Sequence, residues 1–209
     1  MNNPKEIVAT GYNQITQSYL QLVEAMGIKV REKYLNLLIN FLPVNAQVLE
    51  LGCGAGVPMT QILSKHFQVI GIDISSEQLS LARQNVPQAK FILSDMVNLE
   101  FESNYFDAVV AFYSITHVPR TEHKQLLSNI YRMLKKGGLM MLTMGYRDSP
   151  DTISPDWFGS PMFFSHFDGD TNSTLVQETG FNIIQAEDEI EYEYNNPVCF
   201  RWIVASKLQ

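Results

Sequence analysis

The sequence predicts an α/β fold, a doubly wound and mostly parallel sheet with helices on both faces. Three observations carry this. From residue 46 onward, short apolar runs alternate with helical stretches. The first run, Val48–Leu51, passes directly into glycines at alternate positions, Gly52, Gly54 and Gly56. The run Phe106–Phe112 is almost continuously apolar, as a strand covered on both faces requires.

Each element follows from local pattern. Residues 5–42 read as helical with a break near Gly27, and Leu35, Leu38, Ile39 and Leu42 form an apolar stripe before Pro43. Val48–Leu51 is the first strand and Val57–Lys65 the helix after it. Val69–Ile72 is a second strand, followed by a helix over Ser76–Val86 that buries Leu79, Ala82 and Val86. Ala89–Leu93 and Phe106–Phe112 are the third and fourth strands. Glu122–Leu134 is a helix with Leu126, Ile130 and Leu134 spaced by four. Its last turn carries cations, and Gly137–Gly138 stops it before a fifth strand, Leu139–Met144. Residues 146–169 show no period and read as a long aromatic loop. A short helix, Asp170–Thr179, and two closing strands, Phe181–Tyr194 and Val198–Ala205, complete the chain. In the first closing strand Glu187, Asp188, Glu189, Glu191 and Glu193 read as a solvated acidic face that also blunts an edge.

Composition narrows the function. The 209 residues are 45% hydrophobic and carry 15 Lys and Arg against 22 Asp and Glu, a net charge of −7. That argues against a nucleic-acid partner or an anionic membrane surface. Two cysteines, Cys53 and Cys199, are too few for a disulfide framework and fit a reducing compartment. The N-terminus has no apolar signal core and no run reaches the ~20 residues of a membrane span, so the expected setting is cytoplasmic. No His, Cys, Asp and Glu cluster has metal-ligand spacing, so no metal is expected.

The chemistry concentrates after the strands, where open parallel sheets bind ligands. Glu50-Leu51-Gly52-Cys53-Gly54-Ala55-Gly56 is a strand-to-helix glycine turn, a seat for a nucleotide or an amino-acid carboxylate. Asp73 ends the second strand, 21 residues after Gly52, where a carboxylate can accept from both ribose hydroxyls. Ser75 with Gln78 three residues on forms a capping box, which frees Asp73 but ties up Gln78. Asp95, after the third strand, can accept from an exocyclic amine while Met96 packs on the ring. A dinucleotide fingerprint needs glycine where Val57 stands, and a P-loop needs Gly-Lys-Ser/Thr, which is absent.

These segments resemble the class I S-adenosylmethionine-dependent methyltransferases, in particular their small-molecule (type 11/25-like) group. Glu50–Gly56 is similar to that family's first motif, Asp73 to its acidic second motif and Asp95-Met96 to its third. Phe106–Val110 resembles the fourth strand and Leu134–Leu139 the turn before the fifth, so the likeness covers roughly residues 30–145. The resemblance implies a Rossmann-like, seven-stranded sheet whose last strand is antiparallel. It implies S-adenosyl-L-methionine as cofactor, held by Glu50, Gly52, Cys53, Gly54, Asp73, Ile74, Gln78, Asp95, Met96, Ala111 and Phe112. It divides one domain into a helical cap (1–42), a cofactor-binding core (43–145), a substrate loop or lid (146–169) and a closing segment (170–209).

The expected partner is a small-molecule methyl acceptor. The Asn/Asp-Pro-Pro-aromatic motif of amino-methylating nucleic-acid enzymes is absent after the fourth strand. His117 stands there instead, a candidate base since imidazole titrates near neutrality, against the alternative of a structural histidine bonded to a carbonyl. Candidate acceptor contacts are Tyr12 and Tyr19 on one helical face, Tyr113, Tyr146, Trp157, Phe163 and His166. Rival readings are methylation of protein or RNA through a partner subunit, and a non-catalytic cofactor-binding protein. Sequence leaves the oligomeric state open.

Overall fold

The computed structural model describes residues 3–26, 28–193 and 195–208, so the expected break at Gly27 and strand end at Tyr194 lie outside the described residues. Two helices come first, α1 (Pro4–Met26) and α2 (Lys29–Phe41). The alternating core follows as β1 (Gln47–Leu51), α3 (Met59–Leu63), β2 (Gln68–Asp73), α4 (Ser76–Asn85), β3 (Lys90–Leu93), β4 (Phe106–Ala111), α5 (His123–Met133) and β5 (Leu134–Gly145). The chain closes with β6 (Ser149–Trp157), β7 (Ser160–His166), α6 (Gly169–Glu178), β8 (Phe181–Glu193) and β9 (Asn196–Lys207).

Seven strands form one sheet in the order β3-β2-β1-β4-β5-β9-β8. All pairings are parallel except those of β9, which runs antiparallel to both β5 and β8. The strand order reverses between β1 and β4, which leaves a crevice beyond their carboxyl ends. Alternate residues of β1 and β4 serve opposite faces. Leu49, Leu51, Val109 and Ala111 pack with Leu126, Ile130 and Val176 of α5 and α6. Val48, Ala108 and Val110 pack with Leu35, Leu38 and Leu63 of α2 and α3. There Tyr34 stacks on Trp202 with centroids 4.1 Å apart.

Several expectations are corrected. The helix expected over 57–65 is only Met59–Leu63, entered at Pro58 and followed by turn residues over 64–66. The segment 146–169 is not a loop but a separate two-stranded antiparallel hairpin, β6-β7. Its tight turn places Phe158 and Gly159 at φ of 52° and 95°, the positive values a two-residue hairpin turn needs. Met162 and Phe163 of the hairpin pack on Val8 and Ile15 of α1. The acidic face of β8 is solvated only in part: Glu187 and Asp188 are exposed, Glu189 and Glu193 are half-buried and Glu191 is buried, while Ile190 and Tyr192 are 60% and 58% exposed. Among the described residues no helix is long and apolar enough to cross a membrane.

Candidate functional site

The β1–α3 turn is shaped by its glycines. Gly52, Gly54 and Gly56 have φ of 74°, 54° and 77°, the left-handed region that disfavours side chains. The Gly52 and Cys53 N–H groups donate to the Ile72 carbonyl (2.7 and 3.0 Å), which ties the turn to β2. A Cβ on Gly52 would stand 2.3 Å from that of Ser114. A Cβ on Gly54 would meet only Gln78 Oε1, at 3.6 Å, so the Gly54 backbone faces an open cradle.

Asp73 ends β2 against this turn and is 8% exposed. Its Oδ2 accepts from Gly54 N–H (2.8 Å) and its Oδ1 from Ser75 N–H (2.9 Å). Burial pushes its carboxyl above the usual carboxylate range. Each oxygen keeps a lone pair for a vicinal diol. The recess beside it is lined by Ile74, Asp95, Met96 and Phe112, with Lys5, Val8, Tyr12 and Tyr19 of α1 as its cover. Asp95 also does the work of a turn aspartate. It accepts from Val97 N–H (3.0 Å), from Asn98 Nδ2 (2.8 Å) and from Lys5 Nζ (2.6 Å).

A second recess lies on the other side of the turn, lined by Arg31, Glu50, Gly52, Cys53, Gly54, Gln78 and Phe112. Glu50 is 3% exposed and accepts from Thr60 Oγ1 at 2.6 Å; burial pushes its carboxyl up to about 8. Ser75 Oγ accepts from the backbone N–H of Gln78 (3.1 Å), as a helix cap should. The Gln78 side chain does not close the box. Its Oε1 and Nε2 are both buried without a partner among the described residues. The sequence reading that tied up Gln78 is therefore corrected. Arg31, unforeseen, is 3% exposed, with an unpartnered Nε and its guanidinium 4.6 Å above the Tyr113 ring. Its signal was legible, because a cation occupies the apolar stripe with Tyr34, Leu35 and Leu38.

A third, larger cavity of about 350 Å³ adjoins both. Tyr12, Tyr19, Tyr113 and His117 line it and the Asp73 recess alike. Tyr146, Trp157, Phe164, His166 and Glu193 complete much of its wall. Two predicted residues are displaced. Ala111 is fully buried in the core beneath the sheet and lines none of these recesses. Phe163 is a core residue of the hairpin, and Phe164 takes its expected place on the wall.

His117 is 8% exposed, on a single helical turn after β4. Its Nδ1 lies 2.8 Å from the Phe163 carbonyl, which can only accept, so Nδ1 carries the proton. Its Nε2, 2.9 Å from the Tyr12 hydroxyl, is then the acceptor of that O–H. Burial lowers His117 to about 4, so the ring is neutral at physiological pH. The carbonyl-bonded alternative read from sequence is present at Nδ1, while Nε2 is engaged by the Tyr12 hydroxyl.

These recesses match the parts of one ligand. The orphaned Gln78 amide and Arg31 Nε, the buried Glu50 carboxyl and the bare Gly54 backbone suit a zwitterionic amino-acid end. Asp73 suits a ribose. Comparison with known proteins gives the same answer. A family model described as "Methyltransferase domain" matches residues 48–138. Trans-aconitate 2-methyltransferase from Variovorax paradoxus is 35% identical over 106 residues, 49% of this chain and 40% of that protein. Phosphoethanolamine N-methyltransferase 2 from Caenorhabditis elegans is 30% identical over 150 residues, 68% of this chain and 33% of that protein. The chain thus spans well under half the length of both relatives. The methyltransferase domain family is matched by the segment 48–138, which holds the glycine turn, Asp73 and Asp95. The fold is shared by magnesium protoporphyrin IX methyltransferase from Synechocystis with bound S-adenosylmethionine, at a TM-score of 0.73 and 17% identity over 99% of this chain and 98% of that one. S-adenosylmethionine, with its ribose and amino-acid end, fits the recesses that the glycine turn, Asp73 and Glu50 form.

Proposed function

We propose that this protein transfers the methyl group of S-adenosylmethionine to a small-molecule acceptor seated in the aromatic cavity. The observation that carries this reading is the shared wall: Tyr12, Tyr19, Tyr113 and His117 line both the cofactor recess and the cavity. The relatives named trans-aconitate 2-methyltransferase and phosphoethanolamine N-methyltransferase support a small acceptor. The net charge of −7 supports it against a nucleic acid. Both cysteines are free, which supports a reducing, cytoplasmic setting.

When bound, the sulfonium would supply an electrophilic methyl group to the acceptor in line, with S-adenosylhomocysteine as the leaving group, so the chain's main task is alignment. Asp73 takes the ribose, with Ile74 and Met96 beside the base. Arg31 would receive the carboxylate, and Glu50 with Gln78 and the Gly54 carbonyl would receive the ammonium. Tyr12 presents its phenolic oxygen to the acceptor. Its own proton is already directed at His117 Nε2, so a proton taken up by the Tyr12 oxygen is matched by one passed to His117. Alignment alone suffices where the acceptor arrives unprotonated.

The test has two arms. Calorimetry with S-adenosylhomocysteine should show one site, weakened by Asp73→Ala. Incubation of a metabolite extract with methyl-labelled cofactor should then label a small molecule. Binding of S-adenosylhomocysteine with label appearing only in the protein or RNA fraction would replace the small acceptor by a macromolecule. No binding at all would overturn the reading as a whole.

A further inference from the structure

The odd-numbered carboxylates of β8 share one face because a strand repeats every two residues. Three of the four are engaged. Lys33 Nζ pairs with Glu187 (2.6 Å) and Glu189 (2.5 Å), the Tyr34 hydroxyl donates to Glu189 (3.1 Å), and the Tyr113 hydroxyl donates to Glu191. The fourth, Glu193, lines the cavity and has no hydrogen bond or ion pair among the described residues. It is half-buried, and an unpaired carboxylate withdrawn from water is costly. Burial first, then the neighbouring Glu191 charge, push its carboxyl upward.

The wall nearby is made of π faces. Tyr12 and Tyr19 stand 5.0 Å apart and Trp157 lies 5.7 Å from each, so three rings form the corner of a cage. Such faces attract cations, tryptophan most strongly. Arg31, 3% exposed and with an unpartnered Nε, marks the same cavity as a ligand seat. Its guanidinium also borders the glycine recess, where the cofactor's carboxylate belongs. With that carboxylate bound, Glu193 is the cavity's uncompensated charge. An anionic acceptor would meet it unfavourably.

We propose that the methyl acceptor carries a protonated amine, received by the Glu193 carboxylate and the faces of Tyr12, Tyr19 and Trp157. The proposal rests on the cavity being the acceptor's seat and concerns recognition, not which atom is methylated. Benzylamine, benzyl alcohol and benzoate, of near-equal size, are suitable probes. Their affinities are measured by calorimetry on the full chain saturated with S-adenosylhomocysteine. Benzylamine should bind at least about tenfold more tightly than benzyl alcohol, since a hydrogen bond to a charged group contributes at this level. Glu193→Gln should remove that preference and leave benzyl alcohol unchanged, while Glu193→Asp should retain part of it. The proposal is overturned by equal affinities for amine and alcohol, by a preference for benzoate, by a Glu193→Gln variant that still prefers the amine, or by no binding of any probe. Failure to bind S-adenosylhomocysteine in the first place would instead strike at the methyltransferase reading.

Discussion

Tyr12 and His117 behave as one unit, since the hydroxyl of one is held 2.9 Å from the only open nitrogen of the other. If the acceptor's proton leaves along this pair, Tyr12→Phe and His117→Gln should each lower turnover by about 10²–10⁴-fold. The double variant should lose little more than either single one, because residues acting together are not additive. Turnover should hold its value down to the region of pH 4 and fall below it, rather than near 6.5, because burial lowers His117 to about 4. Near-wild-type turnover of both single variants on the identified acceptor would leave alignment as the sole device. Asp73→Ala makes a separate prediction. It should weaken S-adenosylhomocysteine at least about tenfold in calorimetry, through loss of a charged acceptor for two hydroxyls. Asp73 was legible because strand ends in such sheets have fixed meaning. Gln78 was misread because the capping pattern does not say whether the side chain or only the backbone of the third residue takes part. The partner of His117 was not legible, since Tyr12 is 105 residues away.

At the scale of elements, α1 is the cover of the cofactor recess. Lys5 Nζ bridges Asp95 and Glu122 at 2.6 Å each, beside the Asp73 recess. Asn13 Oδ1 accepts from Ser75 Oγ (2.7 Å) and from Glu77 N–H (3.2 Å) at the start of α4. Gln14 Oε1 accepts from Ser160 Oγ of the hairpin (2.8 Å). Partly exposed ion pairs are individually weak, so the cover should open without unfolding the sheet. Lys5→Met should therefore raise amide exchange over the first turns of α1 and shorten the residence of S-adenosylhomocysteine, while the melting temperature moves little. Unchanged exchange and release would show that the Asn13 and Gln14 hydrogen bonds and the apolar contacts of Val8 and Ile15 hold α1 down without Lys5. The α1 stripe was readable from its spacing, but the hairpin it packs on was not. Pro150, Pro155 and Pro161 interrupt the pattern, and register shifts between Ser149 and Thr152 and between Ser154 and Trp157 break the alternation that marks a strand. In β8 the alternation was visible but its polarity misled. The withdrawal of Glu189 and Glu191 is invisible without the Lys33, Tyr34 and Tyr113 that receive them.

Across the whole molecule, the centre of the sheet, β1, β4 and β5, was legible because parallel strands buried on both faces leave continuous apolar runs. The cost of building a ligand site into that core is a set of buried titratable groups with opposed pH responses. His117 and His123 are lowered to about 4 by burial, so the fold prefers them neutral. Their contribution is fully present above the unfolded value of 6.5 and is lost as pH falls toward 4. Glu50 is raised from 4.5 to about 8, so the cofactor-free fold prefers it protonated. Its contribution is fully present below 4.5 and is lost as pH rises toward 8. Between pH 6.5 and 8 the histidines no longer respond and Glu50 still does, by up to about 1.4 kcal/mol per pH unit. Chemical denaturation of the cofactor-free protein should therefore show stability declining from pH 6.5 to 8. Glu50→Gln keeps an acceptor for Thr60 Oγ1 but cannot ionise, so it should flatten the decline and make the variant the more stable protein at pH 8. The same substitution should weaken S-adenosylhomocysteine, because the ammonium loses its carboxylate. A Glu50→Gln protein that declines with pH as steeply as the wild type would place the titrating group elsewhere. One that binds S-adenosylhomocysteine unchanged would take Glu50 out of the cofactor site and leave it a structural acid beneath the glycine turn.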